Sequence, residues 1–428
     1  MQETRADLGG VRSAGHTVRS LSWVEWRITL LIGVTFAAAG YDTALLGLAL
    51  PQIQTDLGIA EQEVGRLLAI VRLAIIPALA LALLADRVGR RRLLIGLLVG
   101  FSVCHAASAL VSGPVELVVL QLLARTFALA EEMVAITLLA ECLTARSRGL
   151  GLGVAAALED LGFGHAAVSF GILGRLENGW RWLYAAGAIP LLALAWLRRA
   201  IPESPRFESA APHPDGPTGP TAILARLRAL ARSPVRAVSL VVVCATMGCV
   251  GGAALTFAPK TLQEVHGYTP ADVAKLMVGL GLLLLPVSLA AGALADRIGR
   301  RRVLSVLLLT LGGGAALFYS DEWRAMAPAT WLLMMTGWAG CEVLVSAVGA
   351  EIFPTSVRVT AAGLRAVATA LGTAGGLWAE SLLVGADGDH GAAIQALTWL
   401  VVVGAVAVWA LPETAGRELE SIAPELGA

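Results

Sequence analysis

The chain has 428 residues, of which 57% are hydrophobic and only 15% are charged, and its 32 basic residues balance 32 acidic ones. About a quarter of the residues of an ordinary soluble domain are charged, so this composition argues against a soluble protein. Apolar runs of about 20 residues recur along the whole length, and each is long enough to cross a bilayer core.

The apolar runs predict an all-α membrane protein with twelve transmembrane helices, six in each half of the chain. The predicted spans 1 to 12 lie near residues 28–50, 62–85, 92–112, 115–140, 150–173, 180–199, 236–258, 271–295, 303–320, 327–350, 361–384 and 391–410. The predicted domains are a cytoplasmic N-terminal segment (1–27), an N-terminal six-helix bundle (28–200), a cytoplasmic linker (201–235), a C-terminal six-helix bundle (236–411) and a cytoplasmic tail (412–428).

Arginines alternate with acidic residues from loop to loop, which predicts the orientation. Arg-rich segments precede span 1, separate spans 2 and 3 as well as 8 and 9, and join the halves, whereas the intervening loops are acidic. The positive-inside rule places the Arg-rich segments in the cytoplasm. Both termini are then cytoplasmic, in a multi-pass protein that we assign to the plasma membrane.

Three charged residues lie deep inside predicted spans 1, 2 and 4. Asp42 is nine residues from Pro51, the outer end of span 1, which puts it about 14 Å deep at about 1.5 Å per residue. Arg72 and Arg125 come to similar depths, about 16 Å from the outer face. A charge at a span centre costs roughly 2.5–3.5 kcal/mol on insertion scales, so we expect Asp42 to neutralise one of the two arginines. A static salt bridge that only fixes helix packing is the alternative.

One cytoplasmic signature occurs twice with a spacing of 210 residues. It contains Leu84-Ala85-Asp86-Arg87-Val88-Gly89-Arg90-Arg91-Arg92 between spans 2 and 3 and Leu294-Ala295-Asp296-Arg297-Ile298-Gly299-Arg300-Arg301-Arg302 between spans 8 and 9. The same offset relates Glu141 to Glu351, Arg148 to Arg358 and Glu203 to Glu413. A constant offset over such a length indicates two homologous halves.

Carboxylates and guanidiniums at these helix ends can form bidentate pairs that tie neighbouring helices together and break in another conformation. The predicted cytoplasmic gate therefore comprises Asp86, Arg87, Arg90, Glu141, Arg148, Glu203, Asp296, Arg297, Arg300, Glu351, Arg358 and Glu413. The alternative is that these arginines only set the topology.

Further carboxylates inside the spans are candidates for the substrate cavity. Glu132 lies two helical turns after Arg125, and the 210-residue offset pairs it with Glu342 in span 10. We expect both to flank a central cavity, where they would suit a cationic or hydroxyl-rich substrate or a second proton, and burial against neighbouring helices is the alternative. Glu159 and Asp160 in span 5 cannot share a face, and the pattern leaves open which one faces the cavity. Arg365 in span 11 lies about one turn from the cytoplasm and is expected to snorkel, and a ligand role is the alternative.

The duplicated loops resemble the hallmark loop of the major facilitator superfamily. Other motifs are similar to the branch of sugar porters and metabolite:proton symporters: Gly40-Tyr41-Asp42-Thr43, Arg125, Gly179-Trp180-Arg181-Trp182, Pro202-Glu203-Ser204-Pro205-Arg206, Glu351-Ile352-Phe353-Pro354-Thr355 and Pro412-Glu413-Thr414.

The resemblance implies two pseudo-symmetric bundles, each built from 3+3 inverted repeats, and alternating access to a midplane site. It further implies Asp42 as the proton carrier and Arg125 as its modulator. Trp338 is similar to the cavity tryptophan of sugar porters, and packing within the helix bundle is the alternative. From their own positions in the sequence, Arg72, Glu132, Glu159 and Glu342 are the other candidates for the cavity. Span 7 lacks the polar residues of sugar porters, which argues against a hexose. Span 5 lacks the Gly-Pro signature of drug antiporters, although Asp42 and Ala49-Leu50-Pro51 are similar to a span-1 motif of drug exporters.

The leading hypothesis is a secondary active transporter that imports a small polar metabolite with a proton. The alternatives are a proton-antiport exporter of drugs or metabolites and a membrane sensor. The loops contain no nucleophile–base pair, phosphate loop or metal motif, so an enzyme, a cofactor and a metal site are not predicted. The expected partners are the substrate, protons and the bilayer, without nucleic acid, and the protein is predicted to be a monomer.

Overall fold

The computed structural model describes residues 21–144, 147–190, 200–203, 228, 230, 232–354, 357–385, 388–417 and 422. The regular structure of these residues is helical throughout. The N-terminal half contains α1 (Trp23–Leu48), α2 (Leu50–Leu57), α3 (Glu61–Arg72), α4 (Ile75–Ala82), α5 (Ala85–Val88), α6 (Arg90–Ser108), α7 (Pro114–Cys142), α8 (Arg148–Leu173) and α9 (Gly179–Ala186).

The described part of the C-terminal half is helical as well. It contains α10 (Pro234–Met247), a π-helical turn (Gly248–Gly252), α11 (Ala253–Glu264), α12 (Pro270–Ile298), α13 (Arg300–Phe318), a short 3₁₀ helix (Asp321–Met326), α14 (Ala327–Glu351), α15 (Arg358–Leu383), α16 (His390–Thr398) and α17 (Leu400–Val408). Predicted span 6 falls largely on residues 191–199, which lie outside the described residues.

Eight helical segments of the described chain are long and apolar enough to cross a membrane, which confirms a multi-pass membrane protein. They correspond to predicted spans 1, 2, 3, 7, 8, 9, 10 and 12. The helices at spans 4, 5 and 11 have 29, 26 and 26 residues and also have the length to cross. These three helices contain charged side chains, as expected of helices that surround a polar interior. The charges lower their mean hydropathy. The count of twelve stays a prediction.

Span 7 continues beyond its predicted end at residue 258 and reaches Glu264. This extension includes Lys260, and an unpaired ammonium is expensive to bury. In the structure Lys260 is 3% exposed and lies between the carboxylates of Glu61 and Glu264. The helix can therefore continue as a buried element, because neighbouring carboxylates neutralise its cation.

Equivalent glycines hold the same positions in the two halves, 210 residues apart. Gly89 and Gly299 have φ angles of 97° and 103°, a region that suits glycine, and each immediately precedes the helix that follows the Arg-rich loop. Gly162 of α8 packs on the backbone of Ala37 in α1, and Gly372 of α15 packs on the backbone of Ala245 in α10. Small residues let membrane helices approach closely, so both halves are assembled by the same contact.

The two halves meet at the helix ends that are remote from the Arg-rich loops. There the Gln52 side chain donates to Gln263 at 2.7 Å, Lys260 donates to Gln54 at 2.6 Å, and the Ser381 hydroxyl donates to the carbonyl of Gln62. Because these contacts join opposite halves, this end of the molecule is closed in the structure.

Candidate functional site

A cavity of about 460 Å³ lies between the two halves, beneath the closed end. Its charged lining consists of Asp42, Arg72 and Arg125 from the N-terminal half and Glu342 and Arg365 from the C-terminal half. Its apolar wall includes the aromatic rings of Phe163, Trp331 and Trp338. The cavity thus combines a few charged groups with flat apolar surfaces, as small-molecule sites commonly do.

Asp42 is buried and holds two partners in a small polar cluster. Arg125 Nη1 donates to its Oδ2 at 2.9 Å, and His105 Nε2 lies 2.9 Å from its Oδ1. The same Arg125 nitrogen donates to the Thr43 hydroxyl at 2.7 Å. Of the two arginines that the sequence offered as counter-ions of Asp42, the structure selects Arg125.

His105 is the member of this cluster whose role the sequence did not indicate. It has no solvent exposure and lies between the rings of Phe101 and Tyr184, with centroid distances of 4.4 and 5.5 Å. Gly187 leaves room for the imidazole, because a Cβ at that position would collide with the ring. A histidine within the apolar run of span 3 could have marked His105 as a candidate. The sequence of that span does not indicate which neighbouring helix the His105 side chain faces.

Arg72 points into the cavity without an anionic partner. Its Nη2 donates to the Thr256 hydroxyl of the opposite half at 3.3 Å. Within the part of the chain that the structure describes, no ion pair joins Arg72 to a carboxylate. The helix ends at this residue, since α3 stops at Arg72 and α4 begins at Ile75. A guanidinium that is half-buried and only singly bonded retains most of its donors for a ligand.

Glu342 lines the cavity, as expected, but it is already neutralised. Arg365 Nη1 lies 2.8 Å from Glu342 Oε2, so Arg365 forms an ion pair in the cavity instead of snorkelling to the surface. The expectation for Arg365 was wrong because a carboxylate on the next helix offers it a closer partner than water. Among the described residues of the lining, three guanidiniums then face two carboxylates, which leaves one positive charge in excess.

Glu132 and Glu159 do not reach this cavity, and the expected pairing of Glu132 with Glu342 across it is not formed. The face of α7 that lines the cavity carries Gln121, Arg125 and Leu129, and Glu132 lies beyond it. Glu132 and Glu159 are half-buried near each other and near Arg125, so their charges interact with its guanidinium. Asp160 is exposed, so of the adjacent pair Glu159 is the one directed towards the interior.

The duplicated carboxylates and arginines form matching contacts at the other end of the helices. Arg90 Nε lies 3.4 Å from Glu141, and Arg300 Nη2 lies 2.8 Å from Glu351. Glu203 accepts from the backbone N–H of Arg91 at 3.0 Å, and Glu413 accepts from that of Arg301 at 3.3 Å. The first two contacts join helices of the same bundle, and the last two hold the segments around Glu203 and Glu413 against the beginnings of α6 and α13.

The remaining predicted gate residues differ in their surroundings. Asp296 pairs with Arg300 at 3.3 Å, and Arg87 and Arg297 are exposed. The Nε atoms of Arg148 and Arg358 are buried without a hydrogen-bond partner among the described residues. The side chain of Asp86 lies outside the described residues. Action of this set as a gate stays a prediction.

Glu413→Gln is expected to destabilise the protein at neutral pH and to have no effect in acid. Burial alone would raise the pKa of Glu413, but backbone N–H groups of Arg300, Arg301, Thr414 and Ala415 hold it below the usual range. A depressed pKa contributes stability above the ordinary pKa of about 4.3, and this contribution is lost as the pH falls through the lowered value. The expected loss at neutral pH is about 1 kcal/mol.

Thermal unfolding of both proteins across a pH series measures this effect. The difference in melting temperature between wild type and Glu413→Gln should shrink below about pH 4. Glu322→Gln, at an exposed position, serves as the control. A difference that stays constant throughout the series would contradict the role of the four N–H groups.

Comparison with known proteins agrees with this architecture. The family model of the Major Facilitator Superfamily matches residues 32–376 and 258–425. The chain is 33% identical over 195 residues to the gallate transporter of Pseudomonas putida, a region that covers 45% of this chain and 43% of that protein. It is 27% identical over 402 residues to the 3-(3-hydroxy-phenyl)propionate transporter of Escherichia coli, covering 91% of this chain and 95% of that protein.

Among solved structures, the fold is similar to that of a D-xylose-proton symporter. The TM-score is 0.75 at 20% identity, and the superposition covers 92% of this chain and 100% of the other. The family inferred from the motifs is thereby confirmed, and with it the conclusion that the protein is not an enzyme. The chain belongs to the Major Facilitator Superfamily and is a membrane transporter of small metabolites.

Proposed function

We propose that this protein imports a small aromatic carboxylate together with a proton, by alternating access to the cavity between its halves. The observation that carries the proposal is the guanidinium of Arg72, which pairs with no carboxylate of the described residues, in a cavity that Phe163, Trp331 and Trp338 help to line. A carboxylate is the ligand that a planar guanidinium fork fits best, and aromatic walls favour a flat apolar ring.

The excess positive charge of the cavity favours an anion over the cationic substrate that Glu132 and Glu342 suggested. Arg365 neutralises Glu342, which removes that carboxylate as a partner for a cation. The similar transporters of Pseudomonas putida and Escherichia coli are named for gallate and for 3-(3-hydroxy-phenyl)propionate, both of which are aromatic carboxylic acids. A carboxylic acid with an ordinary pKa is an anion at neutral pH.

The pair of Asp42 and Arg125 supplies a mechanism for coupling. When Asp42 is ionised it occupies the guanidinium of Arg125 at 2.9 Å. Protonation of Asp42 removes that negative charge and leaves Arg125 as a second cation beside Arg72. A substrate carboxylate can then replace Asp42 as the counter-ion. Proton and substrate therefore promote each other's binding, as thermodynamic linkage requires of a symporter.

Coupling to a proton also removes the electrical cost of importing an anion. Moving one negative charge inward against a membrane potential costs about 2.3 kcal/mol per 100 mV. A proton carried in the same cycle cancels that charge. We place the Arg-rich loops in the cytoplasm of a monomeric plasma-membrane protein, so the closed end in the structure faces outward.

Transport assays in proteoliposomes test the proposal. With an acidic exterior, labelled hydroxybenzoates and hydroxyphenylpropionates should accumulate up to about tenfold for each pH unit of gradient. A protonophore should abolish the accumulation. Protein-free liposomes are the essential control, because the neutral acid of an aromatic carboxylate crosses lipid unaided.

Matched neutral ligands separate this proposal from its alternatives. The corresponding benzyl alcohols and a hexose should not be taken up. Uptake of these neutral compounds without uptake of carboxylates would overturn the substrate class. Carboxylate efflux driven by inward proton flow would overturn import and favour an antiport exporter.

A further inference from the structure

A cluster of charged side chains joins the two halves at the closed end, away from the cavity. It contains Glu61 from the N-terminal half and Lys260, Glu264, Glu380 and His390 from the C-terminal half. We call these five residues the closure cluster. Nothing in the coupling mechanism of Asp42 and Arg125 uses it.

Lys260 holds the outer part of the cluster together. Its Nζ lies 3.1 Å from Glu61 Oε2 and 2.8 Å from Glu264 Oε2. It also donates to the amide oxygen of Gln54 at 2.6 Å. Gln54 and Glu61 belong to one half and Lys260 to the other, so this buried ammonium forms an ion pair across the closure.

His390 sits between two carboxylates that come from opposite halves. Its Nε2 lies 2.7 Å from Glu61 Oε2, and its Nδ1 is hydrogen-bonded to Glu380 Oε1. The ring is buried and stacks on Phe257 with a centroid distance of 4.6 Å. Glu380 has no solvent exposure at all.

Hydrogen-bond counting favours one extra proton in this arrangement. An ionised carboxylate only accepts, and a neutral imidazole carries a single N–H. If all three groups had their ordinary neutral-pH forms, one ring nitrogen would direct its lone pair at a carboxylate oxygen. The geometry is satisfied either by an imidazolium or by a neutral His390 beside one protonated glutamate. Both forms contain the same number of protons.

We propose that Glu61, His390 and Glu380 form a second proton-binding site, which is complete only while the halves are closed at this end. Opening withdraws Glu61 with the N-terminal half. His390 then needs one N–H, towards Glu380, and the extra proton is held less tightly. By linkage, acid must stabilise the closed state.

The site has a route to the outer solution in the orientation proposed above. The Glu61 side chain is 36% exposed, whereas Glu380 is fully buried. A proton therefore enters at Glu61, and its arrival favours closure of the outer end. The inference rests on the proposed function in one respect, which is the orientation that makes the proton enter from the outer solution.

Other ionisable groups surround His390 and set the background of its titration. Lys260 disfavours the added proton, while the carboxylate of Glu264 favours it. The remaining groups near the ring or along the adjoining cleft are His266, Tyr319, Asp321, Glu322, Arg324 and Asp389. None of these belongs to the N-terminal half, so opening changes the surroundings of His390 through Glu61.

Pulsed electron spin resonance on the full-length protein in nanodiscs measures the closure directly. Spin labels at Thr55→Cys and Trp323→Cys, both exposed, report the distance between the halves once the native cysteines have been replaced by alanine. The background carries Asp42→Asn, which removes the central proton site. Without any substrate, the ratio of closed to open molecules should rise with acid, by at most about tenfold per pH unit for one proton.

Glu61→Gln should remove this pH dependence while the halves still close. The amide can donate or accept, so a neutral His390 satisfies it without an extra proton. Glu63→Gln, exposed on the same helix, is the matched control and should keep the full response. Glu380→Gln provides a second variant with the same expected loss.

Two results would overturn the inference: no response to pH in the Asp42→Asn parent, or an unchanged response in both Gln variants. The spin-label measurement uses no substrate. Failure of the carboxylate transport assay would therefore leave the inference of a second proton-binding site intact. Failure of the closure response would likewise leave the carboxylate assay unaffected.

Discussion

Asp42→Asn is expected to abolish accumulation driven by a pH gradient and to leave substrate exchange across the membrane intact. Asparagine has the shape of a protonated aspartate, so Arg125 loses its ionic partner permanently and remains available to the substrate. Without a titrating carboxylate, the proton gradient has no group on which to act. The measurement compares uphill uptake with counterflow in the same proteoliposomes.

Binding affinity gives an independent readout of the same change. In the wild type, the dissociation constant should increase with pH, because ionised Asp42 competes with the substrate for Arg125. In Asp42→Asn it should be independent of pH. Asp160→Asn makes the same chemical change at an exposed position of α8 and should leave both properties unaltered. Undiminished uphill uptake by Asp42→Asn would show that another group carries the coupled proton.

Arg72→Gln is expected to weaken binding of an aromatic carboxylate by about 2 kcal/mol, roughly 30-fold. This is the size of a hydrogen bond to a charged group in a partly dry site. The neutral glutamine should not improve binding of a cation, since Arg125 and Arg365 remain. Isothermal titration with the best carboxylate from the transport screen measures the change.

Two further variants distinguish a ligand role of Arg72 from a structural one. Arg72→Lys retains the charge but loses the planar fork, so it should recover part of the affinity. Arg66→Gln removes an exposed arginine six residues earlier on α3 and should not affect binding. Equal losses in Arg72→Gln and Arg66→Gln, or unchanged affinity in Arg72→Gln, would exclude Arg72 as the anchor of the carboxylate.

Much of the architecture could be predicted because it depends on local chemistry. Long apolar runs must become buried or lipid-facing helices, and the 210-residue offset between Glu141 and Glu351 indicated two equivalent bundles. The same offset paired Arg90 with Arg300, and both arginines contact the predicted carboxylates. The depths of Asp42 and Arg125 were calculable, because helical rise is constant.

The cavity was less predictable, because depth along a helix says little about which neighbour a side chain faces. Glu132 and Glu342 occupy equivalent positions in the repeat, yet Glu342 lies on the cavity wall and Glu132 does not. Arg365 was expected at the membrane surface and instead neutralises Glu342. Small rotations of packed helices decide such contacts, and one sequence does not record them.

The family, the long apolar helices, the duplicated loops and the charges that needed partners could all be read from the amino-acid sequence. Which of these charges meet became visible in the folded protein. The fold joins His105 to Asp42, leaves Arg72 without a carboxylate among the residues that the structure describes, and brings Glu61 to His390 across 329 residues of chain. The physical reason is that a buried charge is stable only beside a suitable partner, and such partners are brought together by helix packing between segments far apart in the sequence.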